Sequence, residues 1–370
     1  MTNSLTVLGI ESSCDDTAAS ILSITFKKKI LVTSSILSSI VFNQSTIHSS
    51  YGGVVPELAA RAHTEKLDYS VEVALARAKV KIDDLDLICV TSGPGLIGAV
   101  ISGVTFAKAL ASALRKPIVG VNHLAGHALT PQLIKNTPFP YLVLLASGGH
   151  CQFLIVENVS NYKRIGGTID DAPGEAFDKT AKLLGLGYPG GPQIEKRASF
   201  GNPDAFELPK PLLYRDNCNM SFSGLKTAVR REIEKGLTSN KVLPDPIIND
   251  LCASFQKTVG EIFVAKGRIA MSIFKQRYPQ APANIALVGG VAANKKIKSQ
   301  LQSAAKSIDF KTIVPPPDLC TDNAAMIAFA GTKLYLNGKD SKANLIARPR
   351  WPLDETAEFL VGSGKKGRKS

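Results

Sequence analysis

The stretch Leu5-Thr6-Val7-Leu8-Gly9-Ile10-Glu11-Ser12-Ser13-Cys14-Asp15-Asp16-Thr17, followed by the apolar run Ala18–Ile24, decides the fold class. Five of six residues from Leu5 to Ile10 are apolar or small, a pattern of a buried strand. The polar residues that follow make a tight turn with free backbone N–H groups. Ala18–Ile24 reads as a second strand and Ile30–Ser38 as a third. Val55–Lys79 then shows helical spacing at Leu58, Ala62, Leu67, Val71 and Leu75. Leu85–Thr91 is a short buried strand ending in Gly93-Pro94-Gly95. A small-residue helix from Ile97 to Leu114, the strand Pro117–Val121 and a helix bearing His123 and His127 complete this part. Strands alternating with helices define an α/β protein.

The opening pattern returns at Tyr141, about 135 residues on, as strand Tyr141–Leu145, small turn Ala146–His150 and strand Cys151–Val156. A chain of two similar lobes would show this recurrence. Residues 195–275 read as mainly helical, Asn284–Val288 as a buried strand, and about Asp322–Leu336 as a last helix. The division expected is 1–130 plus 325–350 for one lobe and 131–324 for the other. The latter carries a helical insertion at about 195–275, and 362–370 is a basic mobile tail.

Composition bounds the function. At 370 residues, with 44% hydrophobic and 20% charged, the chain is too apolar for wholesale disorder. The nearest approach to a membrane span, Leu96–Leu114, is interrupted by Gly98, Gly103 and Lys108, so no membrane association is expected. The first residues lack the basic region of a signal peptide. Forty-four Lys/Arg against thirty-one Asp/Glu give a net charge of +13, which attracts polyanions and puts nucleic acid first among partners. Six scattered cysteines without a C-x-x-C pair fit a reducing cytosol, and a cytoplasmic location is expected.

Four segments carry candidate chemistry. In His123-Leu-Ala-Gly-His127, positions i and i+4 share a helix face, so both imidazoles can reach one metal ion, or each can make ordinary hydrogen bonds. Leu124 stands where a zincin needs Glu. Asp322 is a candidate third ligand; its competing role is a helix N-cap. The turns Ser147-Gly148-Gly149, Gly190-Gly191 and Gly289-Gly290 offer backbone N–H donors that can cradle phosphate, or are simply turns. In Asp170–Lys179 the clustered carboxylates can bind ribose or metal, serve as acid/base, or form a solvated turn. Ser223 can cap a helix whose Lys226 and Arg230 share a face, available to phosphates or to solvent.

Eight ordered segments together resemble one family. They are Gly9–Thr17, Tyr51–His63, Ser92–Leu96, His123–His127, Ser147–His150, Asp171–Lys179, Ser221–Thr227 and Gly289–Asn294. The chain closely resembles, over about residues 5–350, the bacterial TsaD family of tRNA N6-adenosine threonylcarbamoyltransferases, once labelled O-sialoglycoprotein endopeptidases. The resemblance implies a two-lobed fold of the actin/Hsp70/sugar-kinase (ASKHA) class with an interlobe active-site cleft. It implies a divalent metal, Fe2+ or Zn2+, on His123, His127 and Asp322. Substrate contacts would come from Leu145, Ala146, Ser147, Gly148, Gly149, Asp178, Gly191, Glu195 and Asn294. The implied reaction moves the threonylcarbamoyl group of threonylcarbamoyl-AMP to N6 of adenosine 37 in tRNAs reading ANN codons, releasing AMP. Bacterial relatives act with the TsaB paralogue and the TsaE ATPase. Lys226, Arg230 and Arg231 are candidates for tRNA contact. Glu11 and Asp15 are the candidates for a general base, which the sequence does not single out. Ala125 and Ala146 depart from residues common in the family, and Ala125 bears on the surroundings of the metal. A small-molecule kinase, a non-catalytic scaffold and a metalloprotease are the rival readings. The imidazole pair argues against the first two and Leu124 against the third.

Overall fold

A computed structural model describes residues 2–237, 243–339, 345–358 and 360. The basic tail expected at 362–370 lies outside the described residues. Residues divide into two compact units: Met1–Thr137 with Asn158–Asn161 and Pro315–Glu355, and Pro138–Glu157 with Tyr162–Val314 and Thr356–Ser370.

The first unit is built on β1 (Asn3–Glu11), β2 (Asp16–Lys27), β3 (Ile30–Asn43), β4 (Leu87–Gly93) and β5 (Ile118–Asn122), in the order β3-β2-β1-β4-β5. β1, β2 and β3 are antiparallel neighbours; β4 and β5 join β1 in parallel. Its helices are α1 (Ser45–Ser49), α2 (Pro56–Ala78), α3 (Ile97–Leu114) and α4 (His123–Lys135). In α2 the buried Ala59, Ala62, Leu67, Val71, Ala74 and Leu75 recur at helical spacing, and the last four join the core of the sheet. Pro at the first position starts α2, and Lys79 in the left-handed conformation ends it. The 18-residue helix α3, with mean hydropathy 1.7, has the length and composition to cross a membrane. One face of it, with Val100, Val104, Ala107 and Ala111, belongs to the core of the first unit.

The second unit repeats the plan. β6 (Tyr141–Ala146), β7 (Cys151–Asn158), β8 (Asn161–Gly167), β9 (Asn284–Val288) and β10 (Lys311–Ile313) lie in the order β10-β9-β6-β7-β8. Read from the other edge, this is the order of the first sheet. β6 pairs antiparallel with β7 and parallel with β9, as β1 does with β2 and β4. The recurrence seen in sequence is therefore a repeat of topology. α5 (Pro173–Leu183), α6 (Gly190–Ala198), α7 (Ser223–Gly236), α8 (Asp245–Arg277) and α9 (Lys295–Lys306) accompany this sheet; α10 (Pro317–Cys320) and α11 (Ala324–Leu336) return to the first unit. The helical reading of 195–275 holds for α6, α7 and α8, but residues 199–222 form no helix: Pro203, Pro209 and Pro211 each remove a helical donor there.

The units differ from the expected boundaries at 130, at Asn158–Asn161, which joins the first unit, and at both ends of the returning segment. A boundary at 130 would cut α4, which continues to Lys135 and stays whole in the first unit. Asp322, expected in the second lobe, belongs to the first unit with both histidines, because Pro315–Glu355 returns there as one piece.

Close backbone packing fixes α11. A Cβ on Gly9 of β1 would stand 2.1 Å from the Ala324 carbonyl oxygen and 2.9 Å from Ala328 Cβ. Gly9→Ala should therefore push the start of α11, two residues past Asp322, off the sheet. Overpacking of this kind costs about 1–3 kcal/mol, so the urea midpoint should fall; an unchanged midpoint would show that α11 can shift freely.

Candidate metal centre

β5 ends at Asn122, whose side chain accepts from the backbone N–H groups of Leu124 and Ala125 and so caps α4. His123 and His127 then fall on one face, with ring centroids 4.8 Å apart and nearly perpendicular. Both are buried. The third group arrives from the turn before α11. There Asn323, not Asp322, is the N-cap, its side chain accepting from Met326 N–H. The capping role open to Asp322 in the sequence is thus taken by its neighbour. Asp322 Oδ1 lies 3.1 Å from His127 Nε2 and 3.5 Å from His123 Nε2.

The opposite side of the His123 ring is held as firmly. Nδ1 stands 3.0 Å from Glu11 Oε2 and 3.2 Å from Ser13 Oγ. Glu11, at the end of β1, is fully buried; it also accepts from Ser13 N–H at 2.5 Å and from the Thr91 hydroxyl. Burial alone raises the Glu11 carboxyl, but the His123 charge and the hydrogen bonds from His123 and Thr91 hold it below its ordinary value. Burial alone lowers the His123 imidazole; the facing carboxylates of Glu11 and Asp322 outweigh it and push it up to about 9. Glu11 is thus engaged as the partner that orients His123. Asp15, the other general-base candidate, lies partly exposed in the turn after β1.

The donor set fits a divalent transition metal. Ligands roughly 2.0–2.2 Å from one ion stand about 3–3.6 Å from one another, and the Asp322 separations match this. The three ligand atoms all lie within 4.8 Å of one another. A carboxylate on Nδ1 of a histidine leaves Nε2 to ligate, the usual support for a metal-bound imidazole. His127 is fully buried, and beyond the contact of its Nε2 with Asp322 its Nδ1 has no hydrogen-bond partner among the described residues. His150 lies in a loop of the second unit.

In that unit Leu145–Gly149 and Asn294 lie at or after the ends of β6 and β9, while Asp178 lies on α5 and Gly191 and Glu195 on α6. Leu145 and Ala146 close β6, and Ser147 N–H donates to the His150 carbonyl to form the turn. At Gly148, Gly149 and Gly191 an added Cβ would meet nothing within 4 Å, whereas at Gly174 it would stand 2.6 Å from Gly148 Cα. Gly289 (φ +92) lies against the Ala146 carbonyl, bringing the exit of β9 to that of β6. Asp178 Oδ1 accepts from Gly190 N–H at 2.8 Å, and Glu195 Oε1 from Lys295 N–H at 2.8 Å. Asn294 caps α9 through Ile297 N–H and donates to Gln256 Oε1 at 2.7 Å. These three polar residues each satisfy a helix N-terminus, a role the sequence did not reveal.

Two readings change. In Asp170–Lys179, Lys179 Nζ pairs with Asp171 at 2.7 Å and Glu175 at 2.9 Å, and Asp170 turns to α7. Asp170, not Ser223, caps that helix: it accepts from Phe222 N–H, Ser223 N–H and both Ser221 and Ser223 hydroxyls. Lys226, Arg230 and Arg231 are exposed on α7, and Arg230 pairs with Glu234 at 2.9 Å.

Comparison with known proteins gives consistent matches. A family model described as tRNA N6-adenosine threonylcarbamoyltransferase (TsaD) matches residues 35–329. Proteins of that name from Ruegeria sp. (strain TM1040) and Paracoccus denitrificans are each 53% identical, with both chains covered in full. Among solved structures, HypF of T. kodakarensis superimposes with a TM-score of 0.55 at 14% identity, covering 90% of this chain and 48% of HypF. A full-length HypF in a phosphate- and nucleotide-bound form gives 0.53 at 11%, covering 92% and 47%. At these identities the likeness is one of fold, and that fold is of the actin/Hsp70/sugar-kinase class.

With metal removed, the His123 proton should titrate near 9 by NMR, and Glu11→Gln should lower that midpoint. Because the folded value is raised from 6.5, the stabilisation is complete below about 6.5 and is lost as pH rises through about 9. Urea unfolding of metal-free protein should show this decline; stability that is flat across the interval would mean that His123 is not charged.

Proposed function

The chain belongs to the tRNA N6-adenosine threonylcarbamoyltransferase family, and from that premise we propose how its residues serve the transfer to N6 of adenosine 37 in tRNAs reading ANN codons. The donor is threonylcarbamoyl-AMP, a mixed anhydride whose leaving group, AMP, is already installed. What remains for the protein is positioning and charge stabilisation. The observation that carries this reading is full-length identity of 53% to transferases of that name, combined with the convergence of His123, His127 and Asp322.

His123, His127 and Asp322 hold a divalent cation, Fe2+ or Zn2+, whose chemistry is that of a Lewis acid toward phosphate and carbamoyl oxygens. Glu11 and Ser13 keep the His123 ring in the orientation that presents Nε2. Gly148, Gly149 and Gly191 leave space for a nucleotide to approach backbone N–H groups, while Asp178 and Glu195 bind its ribose and Asn294 fixes the start of α9 beside it. Leu145, Ala146 and Ser147 carry the turn that places those glycines. Adenine N6 is a poor nucleophile because its lone pair is delocalised, so holding the base in line with the acyl carbon is the main demand. Adenosine 37 reaches the protein unstacked, on a surface whose Lys226, Arg230 and Arg231 meet tRNA phosphates. A TsaB paralogue and a TsaE-type ATPase act with the chain, in the cytoplasm.

His123→Ala combined with His127→Ala should abolish divalent-metal binding, read by equilibrium dialysis, and transfer, read by mass analysis of tRNA nucleosides. Circular dichroism should still show a folded protein, with a lower urea midpoint because Glu11 loses its partner. Full activity in this variant would remove the metal from the reaction. Asp178→Ala should raise the KM for the adenylate at least tenfold while leaving metal content intact. Higher salt should raise the KM for tRNA, because phosphate contacts release counterions; a salt-independent KM would contradict a surface that grips the backbone.

A further inference from the structure

The strap that follows the last helix carries the chain's single tryptophan, Trp351, in Ala347-Arg348-Pro349-Arg350-Trp351. It is tightly fixed to the first unit. Arg348 N–H donates to the Ser92 carbonyl at 2.7 Å, and Gly95 N–H donates to the Pro349 carbonyl at 3.2 Å. The Asn122 side-chain amide donates to the Trp351 carbonyl at 2.9 Å. Gly93, at φ +134, has no room for a Cβ: it would stand 1.8 Å from the Arg348 carbonyl oxygen. Asn122 is the N-cap of the helix that begins with His123. The strap is therefore anchored one residue from a metal ligand.

Its side chains are not those of a packing anchor. Trp351 is only partly buried, and the Arg348 guanidinium lies over the indole, 4.4 Å from its centroid. Arg348 is oriented from its other side by Glu355 at 3.2 Å. Arg350, which precedes Trp351 in sequence, is exposed. A planar guanidinium–indole stack at the surface, its guanidinium held by Glu355, with the exposed Arg350 next to Trp351 in sequence, has the chemistry that receives an unstacked nucleobase and its phosphate.

We infer that the Arg348–Trp351 stack receives a base of the tRNA anticodon loop and that Arg350 meets the adjoining phosphate. The inference rests on the reading of tRNA as substrate. It adds a surface that neither the basic helix α7 nor the metal ligands supply. An acidic protein segment is the competing occupant, and the fluorescence of a lone tryptophan separates the two.

The test follows Trp351 emission, as the difference between the wild-type chain and Trp351→Phe, while unmodified tRNA is added at fixed salt. Anisotropy of labelled tRNA reports binding in the same samples, and partner proteins are included where transfer requires them. Emission should change saturably in step with binding. Trp351→Ala should raise the KM for tRNA about 5- to 150-fold, the range of one lost base–aromatic stack, with kcat and the KM for the adenylate unchanged. Trp351→Phe should restore most of the loss. Arg350→Ala should weaken binding and reduce the slope of log affinity against log salt by about one. Binding of tRNA without any change in Trp351 emission overturns the inference and leaves the transferase reading standing. An emission change that answers to a partner protein and not to tRNA also overturns it. Failure of the wild-type protein to bind or modify tRNA overturns the reading beneath it.

Discussion

The contact between Glu11 and His123 is the constraint on which the first unit's site depends. A carboxylate with no solvent exposure must be met by a positive charge or by hydrogen bonds, and Glu11 takes both. Removing one partner of such a buried pair costs about 3–5 kcal/mol, because the other is left uncompensated. The pair ties the end of β1 to the start of α4, and it turns the His123 ring so that its far nitrogen meets Asp322. His127 follows one helical turn on. The orientation of His123 therefore descends from one hydrogen bond at the carboxyl end of the central strand, while Asp322 is carried to it by the packing of α11 on Gly9.

Around this contact the protein concentrates negative charge. Asp16 is pushed up to about 7, first by burial and then by the carboxylates of Asp322 and Asp15. The Cys14 thiol is raised by burial and by the same two aspartates. In a chain of net charge +13, an acidic cluster held together at one end of a sheet is a local inversion of the global balance. Repulsion of this kind opposes folding unless a cation relieves it. The protonated His123 supplies part of that relief; a cation held by the two Nε2 atoms and the Asp322 oxygen would supply it instead, displacing the His123 Nε2 proton.

What could be read from the sequence was whatever is local. Strand runs such as Leu5–Ile10 and Asn284–Val288, the i, i+4 spacing of the histidines and the recurrence at Tyr141 depend on near neighbours, and each survives in the structure. The roles of polar residues with distant partners were not legible. Ser223 has the right residue type for a cap, yet Asp170, 53 positions away, takes the role. Asp171 and Glu175 resemble a catalytic cluster until Lys179 is seen between them. Glu11 was in view, but only Ser13, Thr91 and His123, brought together by three strand ends, show what it does. No spacing rule could have joined Asp322 to a helix that begins almost two hundred residues earlier.

The duplicated topology makes the chemical contrast between the units informative. In an α/β sheet, ligands gather at the carboxyl ends of the parallel strands. The ends of β1, β4 and β5 deliver Glu11, Ser92 and Asn122–His123; those of β6 and β9 deliver Ser147–Gly149 and Gly289–Asn294. The same architectural position is occupied by buried charged side chains in one unit and by small residues with accessible backbone in the other. Charged side chains suit a cation, which needs fixed lone pairs. Bare backbone N–H groups suit an anion, which needs donors and space. The topology is therefore repeated while the chemistry of its strand ends is not: one unit offers fixed lone pairs, the other backbone donors and space.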